Sequence, residues 1–150
     1  MIKLLRTDAA HADFHALVRE LDVDIARRDG EEFDFYKQFN GVENLAGVVL
    51  AYADGQAVGC GGFRRLEDDS AEIKRMFVDP TVRGQGVASK VLAELEAWAK
   101  ELGATRCILE TGSRFHEAMA LYQKQGYQRV ANYGPYVGVE DSRCFEKVMG

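Results

Sequence analysis

The sequence predicts an α/β (α+β) domain: a mostly antiparallel mixed central sheet flanked by helices. Three observations carry that expectation. Two apolar runs meet at Asp54-Gly55, a dipeptide that readily adopts the positive backbone angles of a tight hairpin turn. From Val87 the period changes, and Val91, Leu92, Leu95, Trp98, Ala99 and Leu102 continue one helical stripe, with Lys90, Glu94 and Glu101 elsewhere on the wheel. Strand and helix patterns then alternate to the end without a repeat, low-complexity tract or linker. Residues 1–150 are therefore expected to form a single domain, and 47% hydrophobic residues can fill its core without metals or crosslinks.

In chain order, "IKLLRT" reads as a first strand, and Asp8 as the cap of a helix that places Phe14, Leu17, Val18, Leu21 and Ile25 on one face. Gly30 ends that run. A short helix is expected over "EEFDFYKQF", where Phe33, Tyr36 and Phe39 recur every three residues. The hairpin "AGVVLAYADGQAVGCGGFRRL" follows, then a strand in "DDSAEIKRMFV". The long helix stops at Gly103, and a strand "TRCILET" leads to a helix "HEAMALYQKQ" closed by Gly126. Two further strands are expected in "YQRVA" and "RCFEKVM".

Composition narrows the function. A net charge of -5 gives no basic footprint for nucleic acid. No apolar run approaches the roughly 20 residues of a membrane span, and "MIKLLRTDAAHADF" turns polar too early for a secretory signal, so a cytoplasmic protein is expected. Cys60, Cys107 and Cys144 sit in apolar surroundings and read as buried, reduced thiols. His11 and His15 have a spacing that can share a metal, but no third ligand is identifiable, and solvated histidines flanking the helix stripe are the simpler reading.

The segment "VDPTVRGQGVASK" carries the most chemistry. A strand ending at Val78, a turn at Asp79-Pro80 and a helix opening near Gly84 leave free amides at a helix N-terminus, a ready anion site. Glycines at 84 and 86 and the small Ala88 let a diphosphate approach, and Arg83 supplies a forked cationic donor. The same glycines also serve a plain strand-to-helix turn. Neither a dinucleotide fingerprint, which needs glycine where Ser89 stands, nor a Walker loop fits.

With those residues in view, "RGQGVA" resembles the R-x-x-G-x-G/A acetyl-CoA signature of the GNAT family of N-acetyltransferases. "AMALYQKQGYQRV" is similar to that family's second block, and "KRMFVDP" resembles the splayed strand that receives the pantetheine arm. The resemblance runs from about Ala46 to Met149. It implies a GNAT-like fold with acetyl-CoA as acyl donor. Arg83, Gly84, Gln85, Gly86, Val87, Ala88 and Ser89 would surround the pyrophosphate, while main-chain groups of Met76 and Val78 would pair with pantetheine. Many relatives carry asparagine where this chain has Phe115, so Ser113, Arg114 or water would have to replace that polar contact.

Acetyl transfer sets three chemical demands. A lysine-like amine is deprotonated in only about one molecule in 2,500 at pH 7, so a base or a water relay is required. Glu72 is the leading base by resemblance; its alternatives are an exposed strand-edge charge or an ion pair, and Glu110 is the rival base. The amide of Met76 or Phe77 is placed to stabilise the oxyanion. Tyr122 matches the family tyrosine that protonates the leaving thiolate, with a core role as its alternative. Tyr133 and Tyr136 either frame an acceptor pocket or pack a rigid turn, and Asp24, Arg28, Tyr36 and Glu140 are weaker acceptor-side candidates.

The function expected is direct acetylation of a primary amine, on a small molecule, with no nucleic-acid or membrane partner. An acyl-CoA sensor without turnover and a protein lysine or N-terminal acetyltransferase are the alternatives. A homodimer is the default for a small enzyme, although no interface is identifiable.

Overall fold

In the computed structural model, which describes residues 1–29 and 44–150, one seven-stranded sheet has the order β1-β2-β3-β4-β5-β7-β6. Its strands are β1 (Ile2–Thr7), β2 (Gly47–Ala53), β3 (Gln56–Arg65), β4 (Ser70–Val78), β5 (Arg106–Gly112), β6 (Gln128–Val130) and β7 (Ser142–Val148). The helices are α1 (Ala12–Asp29), α2 (Val87–Glu101) and α3 (His116–Lys124). Every neighbouring pair is antiparallel except β4 and β5, which run parallel because α2 carries the chain between them. The helix expected over Phe33, Tyr36 and Phe39, and the stop at Gly30, lie outside the described residues.

Alternation along β2 builds two cores. Val49 and Ala51 face α2, where Val87, Val91, Leu92, Leu95 and Ala99 meet Phe63, Ile73, Cys107 and Leu109. Val48 and Leu50 face α1, whose Phe14, Leu17, Val18 and Leu21 cover Cys60 and Phe77. The sheet is thus buried on both sides at its centre, which explains why β2 and β3 read as continuous apolar runs. The expected hairpin turn forms, with Asp54 at φ 51° and Gly55 at φ 80°.

The start of α1 differs from expectation. Asp8 accepts from the amide of Ala10 in the preceding turn, and His11 Nδ1 accepts from the Asp13 amide at 3.1 Å. The imidazole therefore takes the capping position, three residues later than the sequence suggested. All three cysteines are buried and free; burial pushes the Cys60 thiol up to about 12 and the Cys107 thiol up to about 11, so both stay protonated.

At the start of β2, Gly47 lies under an edge-to-face ring pair, Phe63 and Trp98, with centroids 5.6 Å apart. A Cβ there would stand 2.7 Å from Trp98 and 2.8 Å from Phe63. Rigid rings cannot yield as a flexible side chain does. Gly47→Ala is therefore expected to lower stability by about 1–3 kcal/mol, read as a reduced urea midpoint with an unchanged slope.

Candidate active site

β4 and β5 are paired only at Ser70–Arg106, Ala71–Cys107 and Glu72–Ile108, after which the strands separate. A bulge in β4 accompanies the separation. The β3 ladder passes from Gly62–Lys74 to Cys60–Phe77, so Gly61 alone opposes both Arg75 and Met76. The gap becomes a cleft. Its walls are Glu72 to Met76 of β4, Glu110 to Gly112 of β5, Leu21 and Ile25 of α1, Phe115, Ala118 and Tyr122 at α3, and Tyr136 from the loop before β7.

The glycine segment lies beyond the end of β4. Asp79 accepts from the Thr81 amide at 2.9 Å and fixes the short turn over Pro80–Val82. Gly84 and Gly86 have φ of 83° and 80°, a region costly for other residues, and a Cβ at either would meet nothing within 4 Å. Gly86 caps α2 with no side-chain bond to its first amides. An open, uncapped helix start of this kind can take an anion. Arg83 reaches back, its Nε donating to the Val78 carbonyl at 3.1 Å and its guanidinium lying 5.8 Å over Phe77.

The predicted site residues fall into three groups. Glu72, Met76 and Tyr122 line the cleft, and so does Glu110. Arg83 to Ser89 form the turn and first helical residues, with Val87 buried in the α2 core and Ser89 Oγ accepting from Gln125 at 3.2 Å. The Phe77 and Val78 side chains serve opposite cores, leaving only their main chain for a ligand.

Glu72 is 2% exposed, which rules out the strand-edge alternative. Its ion-pair alternative holds. Oε1 accepts from Arg64 Nε at 2.6 Å, with Lys74 Nζ at 4.0 Å, and Oε2 accepts from the Tyr133 hydroxyl at 2.7 Å. Tyr122 packs edge-on to Tyr127 at 5.8 Å while lining the cleft, so its ring belongs to the core and also reaches the cleft wall. Burial, with Glu110 adding to it, pushes its phenol well above the ordinary value; the hydroxyl holds its proton.

The loop before β7 is a packed turn, the second of the two readings given for its tyrosines. Asn132 Nδ2 donates to the Tyr136 and Val139 carbonyls, each at 3.0 Å, and Tyr133 meets Tyr136 edge-to-face at 5.7 Å. The turn is packed, and Tyr136 faces the cleft. Phe115, standing where a polar residue was expected, lies 4.8 Å beneath the Arg28 guanidinium. Arg28 also pairs with Glu117 and, at 3.3 Å, with Asp24. Glu140 contributes a carbonyl to Arg143, and Tyr36 lies outside the described residues.

Reasoning from sequence missed Arg64, Lys74 and Arg75. The E-x-K spacing of Glu72 and Lys74 already placed those two on one strand face, whereas Arg64 required the register and Arg75 the bulge. Among the described residues no cluster of three or more metal-ligating side chains occurs, and no helix is long and apolar enough to cross a membrane.

The parted strands, bulge and uncapped α2 start describe an acyl-CoA transferase fold. A model of the acetyltransferase (GNAT) family matches residues 13–127, and the chain belongs to that family. It is 38% identical over 89 residues to the IAA acetyltransferase of Azospirillum brasilense, a match spanning 59% of this chain and 58% of that relative. Little more than half of that protein is thus represented. A candidate acyl-CoA N-acyltransferase structure from Klebsiella pneumoniae is 31% identical, with TM-score 0.85 and coverage of 100% of this chain and 99% of the other. The PaiA N-acetyltransferase of Thermoplasma acidophilum, solved with coenzyme A, shares the fold at TM-score 0.70 and 16% identity, over 99% of each chain.

The Tyr133 hydroxyl is one of the donors on a buried carboxylate. Tyr133→Phe is expected to lower unfolding free energy by about 1.5–3 kcal/mol, the range for a hydrogen bond to a charged group. Urea denaturation followed by circular dichroism measures it; an unchanged midpoint would mean that this bond contributes nothing net.

Proposed function

We propose that this chain acts as one N-acetyltransferase domain over residues 1–150, moving an acetyl group from acetyl-CoA directly to a primary amine of a small molecule. The observation that carries this reading is the β4–β5 cleft, with protonated Tyr122 in its wall, together with the uncapped helix start that follows the end of β4. Family membership and the coenzyme A bound to the Thermoplasma fold relative support the donor.

The α2 amides and Arg83 hold the pyrophosphate, with Gly84, Gln85, Gly86, Val87, Ala88 and Ser89 around it. Beyond Glu72, β4 has no ladder partner in β5, so main-chain groups of Met76 and Val78 receive the pantetheine arm. The amine nitrogen attacks the thioester carbon, forming a C–N bond and a tetrahedral oxyanion, whose collapse then breaks the C–S bond. The amide of Met76 or Phe77 stabilises the intermediate oxyanion, and Tyr122 gives its proton to the departing sulfur.

Glu72, acting through water, accepts the proton that the amine loses. Glu110 is a second reading, favoured because both Glu72 oxygens already accept hydrogen bonds. A small acceptor is supported by the Arg28–Phe115 stack and the Arg28–Glu117 pair, which bridge α1 and α3 beside the cleft and leave less room for a peptide lying through it.

Acetyl-CoA consumption across amines, amino acids, polyamines and peptides, beside calorimetric acetyl-CoA binding, tests the proposal. Turnover of small amines is expected, and failure to bind acetyl-CoA would overturn it. Gly86→Asp should abolish that binding while the circular dichroism spectrum persists; retained affinity would remove the pyrophosphate assignment. Tyr122→Phe should cut kcat by about 10²-fold with little change in acetyl-CoA affinity. An unaffected rate would require another acid.

A further inference from the structure

The bulge changes which side chains meet the acceptor. In a regular strand Lys74 and Arg75 would point to opposite faces. Here Ala71 and Ile73 pack toward α2, so Glu72 and Lys74 face the other way, and the extra residue turns Arg75 to that same side, where its Nη2 meets Asp22 of α1 at 2.5 Å. Met76 then returns to the α2 core and Phe77 to the α1 core. Two successive cations thus stand together in the cleft wall.

Arg75 carries further marks of a binding residue. Its φ is 60°, a left-handed conformation unusual for a residue with a side chain, and such outliers gather at functional sites. The residue is 5% exposed, yet its buried Nε has no hydrogen-bond partner among the described residues. Buried guanidinium donors are nearly always satisfied, and an orphan calls for an explanation. Asp22, its counter-ion among the described residues, is half-exposed and neutralises it from the α1 side. Burial also lowers the pKa of neighbouring Lys74, a shift that an added anion would oppose.

We propose that the acceptor amine carries a carboxylate, which binds at the β4 bulge against Arg75 with Lys74 beside it, so that the substrate class is amino acids and other amino carboxylates. The inference rests on the acetyl-transfer reading and deepens it. The opposite charges in the same cleft fit a zwitterion: Glu72 and Glu110 face its amine, and the bulge cations face its acid group. A carboxylate placed there would supply the acceptor that Nε lacks and, being planar and charged, suits a guanidinium edge.

The test uses matched amines that differ by the carboxylate alone: phenylalanine and phenethylamine, lysine and cadaverine, β-alanine and ethylamine. With the full chain and acetyl-CoA, at least one amino carboxylate should exceed its carboxylate-free partner in kcat/KM by about 10- to 100-fold. Arg75→Met should erase that ratio through the acceptor KM. Asp22→Asn, at a half-exposed position outside the cleft wall, keeps the test open should Arg75→Met fail to fold; it should lower that KM by roughly two- to fivefold by releasing Arg75 from its counter-ion.

Equal or better turnover of the carboxylate-free amines would overturn the inference and leave acetyl transfer standing. So would acetyl-CoA binding without turnover of any amino carboxylate. If Arg75→Met folds but weakens acetyl-CoA binding instead of raising acceptor KM, Nε belongs to the donor and the inference fails. If the native protein does not bind acetyl-CoA, the acetyl-transfer reading falls first.

Discussion

The structure depends on a parallel strand pair that stays together for three residues and then parts. Backbone groups released from a ladder inside a protein need other partners, and parted strands persist only where the surroundings forbid closure. Here the β4 bulge redirects the strand, and Gly61 opposite it admits the crossing side chains; a Cβ there would come within 2.5 Å of Met76 Sδ and 2.8 Å of Leu95 Cδ1. The α2 stripe closes the sheet beneath, and its first turn opens where β4 ends. Cleft, bulge and helix start are therefore one construction.

Charge is distributed around that construction with little slack. Glu72 is almost wholly buried and accepts hydrogen bonds on both oxygens, while Arg75 is buried with one ionic partner among the described residues. Buried ion pairs recover their desolvation cost poorly, so their presence is weak evidence for stability. Their position is more telling. Among the described residues the charged groups lining the cleft, Glu72, Lys74, Arg75 and Glu110, come from β4 and β5, where the two strands diverge.

Much of this was legible in the sequence because it rests on local rules. The Asp54-Gly55 hairpin, the α2 stripe, and the glycines that need positive φ each follow from residues close together in the chain. Glu72 and Tyr122 came from resemblance, and both reach the cleft. What stayed hidden depends on register. Arg64 meets Glu72 only because β3 and β4 align those positions, and Arg75 turns toward α1 only because one extra residue interrupts the alternation. The cap of α1 was misread for another reason: Asp8 is the usual capping type, but its carboxylate is already engaged by Ala10, and His11 takes its place.

The hydroxyl of Tyr133 links the loop before β7 to Glu72 of β4. A loop packed on its own tyrosines and held by Asn132 presents a preorganised wall, which lowers the ordering cost of binding. It also ties loop sequence to the chemistry of the strand. Exchanging this loop for that of a relative would remove a donor from the buried carboxylate unless a hydroxyl returned to the same spot. Loop sequence and carboxylate environment are thus expected to change together here, as one inherited unit.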